Sequence, residues 1–96
     1  MNHIELSRRA QRDLRRLGAL TGVRLRDALS PNPLPDNLDI VGISGRSPWR
    51  RLRLGNHRVL FRPLTEEERL ALHTERGWLI ARVVDRQDLE RAIESL

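Results

Sequence analysis

The stretch WRRLRLGNHRVLFRP, residues 49–63, decides the fold of this chain of 96 residues. Its two halves alternate apolar and basic residues, and the dipeptide Gly-Asn at 55–56 separates them. This pattern predicts a β-hairpin with a two-residue loop, and the loop length fixes the register of the strands. The expected cross-strand pairs are Leu54 with His57, Arg53 with Arg58, Leu52 with Val59, and Arg51 with Leu60.

The two faces of the predicted hairpin differ in chemistry, because successive side chains of a strand point to opposite faces. One face is suited to a hydrophobic core and also receives a histidine; it comprises Leu52, Leu54, His57, Val59 and Phe61. The other face is mostly guanidinium; it comprises Trp49, Arg51, Arg53, Arg58, Leu60 and Arg62.

The basic face is physically unusual because Arg53 and Arg58 lie directly opposite each other, and like charges in that position destabilise a sheet. At a separation of about 5 Å, the repulsion is roughly 1 kcal/mol with water-like screening and roughly 3 kcal/mol at an effective dielectric near 20. An anion between the two guanidiniums reverses the sign of this energy, and phosphate suits their planar donors. The alternative explanation is a solvated outer face in an arginine-rich protein.

The composition indicates one globular domain over residues 1–96 that has an acidic partner. All of the basic residues are arginine, and the net charge of +5 favours nucleic acid or an acidic protein as the partner. No apolar run approaches the roughly 20 residues of a membrane span, and the N-terminus has no apolar signal region. We therefore expect a cytoplasmic protein without membrane association. The absence of cysteine excludes disulfides and thiolate metal sites.

The rest of the chain predicts an α+β domain with an N-terminal helix pair packed on a mostly antiparallel β-sheet and a short C-terminal helix. The run 78–84 is the most apolar and predicts the central strand. The predicted order is a strand at 3–6, a helix at 8–17 capped by Ser7, a helix that begins at the cap Thr21 and ends at Ser30, a strand at 38–44, the hairpin, a helix at 65–76 ended by Gly77, the strand at 78–84 and a helix at 88–96.

Three motifs in fixed order span most of the chain. They are I-x-L-S-x-x-A-x-x-D-L-x-x-L at residues 4–17, W-R-x-L-R-x-G-x-x-R-V-L-F-R at residues 49–62, and V-x-x-R at residues 83–86 before the final helix. With these motifs the chain resembles the RelE/ParE superfamily, the toxins of type II toxin–antitoxin systems. The resemblance implies the α+β fold of that superfamily.

Resemblance to the RelE branch implies a ribosome-dependent mRNA endonuclease, which a cognate antitoxin inhibits by wrapping around it in a hetero-oligomer. In that branch, basic residues of the middle strands and of the last strand line an RNA groove. The matching positions, and thus the candidate catalytic residues, are Arg51, Arg53, Arg58 and Arg86. The candidate RNA-binding residues beside them are Arg50, Arg62 and Arg82.

The implied reaction uses neither a metal nor a cofactor: the ribose 2′-hydroxyl attacks the adjacent phosphate and leaves a cyclic phosphate. Arginines stabilise the charge that develops on the phosphate, but they are poor bases. Many RelE-type toxins carry a tyrosine about four residues after the last-strand arginine; this chain has Glu90 there and no tyrosine. Glu90 is therefore an added candidate catalytic residue, and parity points His57 towards the core; the sequence assigns neither of them as the base.

Two alternatives remain open at the level of sequence, and the missing tyrosine is the reason. One is a ParE-like toxin that inhibits DNA gyrase and cleaves no RNA. The other is a catalytically silent protein of the toxin fold that only binds its antitoxin.

Overall fold

The computed structural model describes all 96 residues as an α+β arrangement of helices around a single five-stranded sheet. The elements in chain order are β1 (His3–Leu6), α1 (Arg8–Leu17), α2 (Ala19–Leu29), β2 (Ile40–Gly42), β3 (Arg50–Leu54), β4 (His57–Pro63), α3 (Glu66–Ala71), β5 (Gly77–Asp85), a 3-10 turn (Arg86–Asp88) and α4 (Leu89–Glu94). No helix is long and apolar enough to span a membrane.

The sheet has the strand order β1-β5-β4-β3-β2. Only β1 and β5 run parallel, and the three other pairs are antiparallel. The predicted fold class is therefore confirmed. The prediction that 78–84 forms the central strand is wrong, because β4 occupies the middle position and β5 lies between β4 and β1.

Each face of the sheet packs against a core of its own. The main core joins α1 and α2 to the sheet and contains Ile4, Ala10, Leu25, Ala28, Leu29, Leu52, Val59, Phe61, Ile80 and Val83. On the opposite face, the fully buried Leu60 packs with Val84 of β5 and Ala92 of α4. Helix α4 thus partly covers the mostly basic face of the hairpin. Burial of the apolar surface of Leu60 against α4 favours this packing.

The N-terminal helices are joined by a single residue. Ser7 caps α1 as predicted, with its Oγ accepting from the backbone N–H of Ala10 at 3.0 Å. Gly18 ends α1 and immediately precedes α2, and its φ of 102° lies in the region that favours glycine. The prediction that Thr21 caps the second helix is wrong: the helix begins at Ala19, and Thr21 is buried within it.

Three other predicted elements are shorter in the structure. The C-terminal helix covers only residues 89–94 of the predicted 88–96. Strand β2 covers only residues 40–42 of the predicted 38–44. Helix α3 begins at the predicted capping box of Thr65 and Glu68 but ends at Ala71, well before residue 76. Gly77 does not end this helix; it is the first residue of β5.

Gly77 lies where β1, β5 and the end of β4 approach one another, and we expect Gly77→Ala to destabilise the protein by about 1–3 kcal/mol, the usual cost of overpacking. An alanine Cβ would lie 2.5 Å from the carbonyl oxygen of His3 and 2.7 Å from Cδ1 of Leu64. The measurement is the midpoint of urea unfolding. Gly42→Ala is the matched control, since nothing lies within 4 Å of a Cβ there; equal midpoints for the two variants would contradict the expectation.

Candidate functional site

The hairpin has the register that the sequence predicts. Arg53 lies opposite Arg58, and Arg51 lies opposite Leu60. The alternation of side chains therefore places Arg51, Arg53 and Arg58 on one face of the sheet. This is the face on which α4 packs, so the basic residues surround a small apolar centre.

Nearby carbonyl groups offset part of the repulsion between Arg53 and Arg58. The Arg58 guanidinium turns back to the hairpin loop, where one terminal nitrogen donates to the carbonyl oxygens of Gly55 at 3.2 Å and His57 at 3.0 Å. Carbonyl oxygens carry partial negative charge, so these bonds offset part of the repulsion from Arg53. Arg53 is exposed and forms no ion pair, which leaves its guanidinium available to an external anion.

Two candidate catalytic residues, Arg51 and Glu90, line the same groove. They come from distant parts of the sequence. The groove lies between α4 and the segment around Gly42, with a volume of about 370 Å³. Glu94 lines it as well and places a second carboxylate one helical turn from Glu90. Glu94 was not among the residues predicted from sequence, although the i, i+4 spacing of the two glutamates was a usable signal.

Arg86 lies beyond the end of β5, where its backbone N–H donates to the carbonyl oxygen of Asn56 at 3.2 Å. This bond ties the start of the 3-10 turn to the hairpin loop, and the Arg86 side chain is exposed beside it. His57 is on the core face, as parity predicts, but 25% of its side chain remains exposed. Its Nε2 lies 3.4 Å from Oδ1 of Asp85, its cross-strand neighbour.

Arg50 and Arg62 lie away from the groove that Arg51 lines. Arg50 has the parity of Leu52 and thus belongs to the core face, where its guanidinium lies 5.4 Å from the ring centroid of Trp78. Arg62 forms a bidentate pair with Glu68, with N–O distances of 2.7 and 3.1 Å. Arg62 also stacks on Trp49, with 5.5 Å from its guanidinium carbon to the ring centroid.

Arg82 is held by Asp13 of α1. Its Nε donates to one carboxylate oxygen at 2.9 Å, and a terminal nitrogen donates to the other at 3.2 Å. The backbone N–H of Val83 donates to the same carboxylate at 2.9 Å, and only 6% of Asp13 is exposed. Asp13 is the one acidic residue of α1 and lies beside Leu14 on its apolar side, which was the signal for this role.

Helix α1 replaces β1 as the neighbour of β5 where β1 ends. Pairing between β1 and β5 stops at Ile80. From there the Ser7 backbone N–H donates to the Ile80 carbonyl oxygen at 3.0 Å, and the Ser7 hydroxyl donates to the Ala81 carbonyl oxygen at 2.8 Å. Together with Asp13, these bonds satisfy backbone groups of β5 that would otherwise lack partners.

The structure brings together no group of three or more histidine, cysteine or carboxylate side chains that could hold a metal ion. The polar side chains that line the Arg51 groove are Ser44, Arg51, Glu90 and Glu94.

The fold is similar to that of a solved toxin–antitoxin structure. No protein-family model matches the sequence, and no curated protein matches it. A chain of the RelB–RelE antitoxin–toxin complex from Methanococcus jannaschii superimposes with a TM-score of 0.63 at 18% sequence identity. The match covers 91% of this chain and 95% of that chain. At this identity, the likeness establishes the fold.

The pair formed by Arg62 and Glu68 makes stability depend on acid pH. The hydrogen bond from Arg62, and after it the one from the Thr65 backbone N–H, lower the pKa of Glu68 from 4.5 to about 2. A carboxyl with a lowered folded-state pKa stabilises the fold above its unfolded pKa, and this contribution is lost as the pH falls from about 4.5 to about 2. We expect wild type to be more stable than Glu68→Gln at neutral pH, with the difference shrinking through that window.

Thermal unfolding of both proteins across this pH range measures the effect. Glu67→Gln, at an exposed position in the same helical turn, is the control and should track wild type closely. A constant gap between wild type and Glu68→Gln at all pH values would contradict the assignment.

A second prediction concerns the ion pair between the Asp13 carboxylate and Arg82. Asp13→Asn turns one acceptor into a donor beside the Arg82 guanidinium, so a largely buried positive charge loses its partner. We expect a loss of about 3 kcal/mol in the free energy of unfolding, at the lower end for breaking a buried ion pair. Asp27→Asn, at an exposed position on α2, is the control. Urea unfolding measures both, and a loss no greater than that of the control would show that the ion pair contributes little.

Proposed function

We propose that the protein is the toxin of a type II toxin–antitoxin system and acts as a ribosome-dependent mRNA endonuclease of the RelE type. The observation that carries the proposal is the groove that Arg51 and Glu90 line together, beside the basic face of Arg53 and Arg58. The likeness of the fold to a chain of a RelB–RelE complex adds to it.

The groove offers the two kinds of group that the reaction needs. In the proposed step, the ribose 2′-hydroxyl attacks the adjacent phosphorus, the bond to the 5′-oxygen breaks, and a 2′,3′-cyclic phosphate forms. Arg51 stabilises the negative charge that develops on the phosphate oxygens. Glu90 accepts the proton of the 2′-hydroxyl, and the leaving 5′-oxygen takes up a proton from solvent.

The remaining arginines position the RNA in this proposal. Arg53 and Arg58 share the sheet face of Arg51, and the backbone of Arg86 is bonded to the hairpin loop. In the proposal these three arginines bind the phosphates next to the reacting one. Arg50, Arg62 and Arg82 bind weakly or not at all, because Arg62 and Arg82 already pair with carboxylates and Arg50 lies on the other face.

The proposed binding partner is an antitoxin with an acidic segment. The net charge of +5 favours association with such a segment and accelerates it. The antitoxin inhibits by occupying the arginines that otherwise meet RNA.

Induced expression in bacteria, followed by mapping of transcript 5′ ends, tests the proposal. Wild type should produce cuts at fixed positions within codons of translated messages. Arg51→Gln should lower the cutting rate by roughly 100-fold or more, the usual effect of removing one donor that stabilises transition-state charge. Arg24→Gln, at an exposed position on α2, is the control that removes the same charge.

Glutamine substitutions at Glu90 and Glu94 identify the base. The residue that accepts the proton should cost roughly 100-fold or more when changed, and the other should have a small effect. Glu67→Gln on α3 is the control. Undiminished cutting by Arg51→Gln, or by the double variant Glu90→Gln/Glu94→Gln, would sink the proposed mechanism.

A ParE-like inhibitor of DNA gyrase is the second candidate, and the lack of any tyrosine favours it. Stalled gyrase complexes and a DNA-damage response with intact transcripts would select this candidate. Tight binding of an antitoxin with no growth effect would instead indicate a silent protein of the same fold.

A further inference from the structure

A second charged groove lies on the other side of α4. On one side of α4, Glu90 and Glu94 line the Arg51 groove. On the other side, Arg91 and the C-cap residue Ser95 line this second groove. Helix α1 and strand β5 form the opposite wall, and the volume is about 270 Å³. The arginines that line it are Arg9, Arg16, Arg82 and Arg91.

The charges of this groove are not balanced within the chain. Arg82 is neutralised by Asp13, while Arg16 approaches that carboxylate only at 3.8 Å with 68% of its side chain exposed. Arg9 and Arg91 form no ion pair. Asp88 is the one carboxylate that lines the groove. Guanidiniums therefore outnumber carboxylates in this groove, and an added anion turns their mutual repulsion into attraction.

We propose that this second groove binds the phosphate groups of an RNA strand. Guanidinium groups bind phosphate through paired, charge-assisted hydrogen bonds, and several of them converge here. The apolar lining consists of Val84 and Ala92, which are only 1% and 2% exposed. Because guanidinium groups dominate the lining of this groove, it suits a phosphate backbone.

The surface continues into an adjoining groove that favours a nucleic-acid strand over a single phosphate. The two grooves share Arg9, Arg82 and Ser95, and the adjoining one adds Arg8 and the ring of Trp49. Single strands bind where basic residues follow the backbone and an aromatic side chain meets a base. Trp49, whose ring also stacks with Arg62, supplies that aromatic side chain in the adjoining groove.

Binding of RNA in the second groove is separate from the proposed cleavage reaction. The second groove is separated from the Arg51 groove by the width of α4, so it holds a part of the RNA other than the reacting phosphate. Its role does not depend on whether the strand is cut.

The test measures binding of a fluorescent 2′-O-methyl oligoribonucleotide, which has no free 2′-hydroxyl and cannot be cleaved by the proposed reaction. Fluorescence anisotropy gives the affinity at several salt concentrations. The double variant Arg9→Gln/Arg91→Gln should reduce the slope of log affinity against log salt by about 1.4, since each lost phosphate contact on a single strand is worth about 0.7.

The double variant Arg24→Gln/Arg26→Gln is the matched control, because it removes the same charge from exposed positions on α2. Its slope should stay close to that of wild type. Circular dichroism checks that each variant is folded, and Arg9 and Arg91 are both exposed. Equal losses in the two double variants would overturn the proposal in favour of diffuse charge.

Binding of a polyglutamate peptide to the same variants is the second measurement of this test. Loss of peptide binding by Arg9→Gln/Arg91→Gln, with oligonucleotide binding unchanged, would overturn the proposal and make the groove a site for an acidic protein. Failure of the proposed nuclease function gives a different result: wild type then cuts no transcripts, while the difference between the two double variants in oligonucleotide binding persists.

Discussion

The register of the β3–β4 hairpin determines which side chains enter each of the two cores. Gly55 adopts a φ of 61°, the left-handed conformation that a two-residue hairpin turn needs and that glycine adopts without steric cost. With this turn in place, Leu52 and Val59 enter the main core and Leu60 enters the core under α4, all without exposed surface. A register shift of one residue would exchange the two faces of the shifted strand. Its buried apolar side chains would then become exposed, at a cost of about 1.5–3 kcal/mol each.

Four arginines of the sheet fall into two groups with different consequences. Arg62 and Arg82 are bonded to carboxylates of α3 and α1, so they fasten helices to strands. Arg51 and Arg53 have no ion pair within the chain. Because a charge without a partner retains its capacity to bind an external anion, only the second group is suited to recognition.

Helix α4 is short, yet it divides the charged surface into two grooves of different chemistry. Its helical period directs Glu90 to the side that faces Arg51 and Arg91 to the side that faces α1. A groove with both carboxylate and guanidinium can move protons and stabilise charge, whereas a groove with guanidiniums in excess can only bind. The burial of Ala92 between them keeps the helix in place.

The sequence alone determined the hairpin register, the α+β class and the caps at Ser7 and Thr65, because these depend on side-chain period and on groups a few residues apart. Only the tertiary structure decided that α1 takes over from β1 beside β5, that Asp13 holds an arginine 69 residues away, and that Glu94 joins Arg51 in one groove. Those contacts arise when distant segments pack together. Local patterns can mark a charged side chain such as Asp13 as unusual, but they do not identify its partner, because the partner comes from a distant segment.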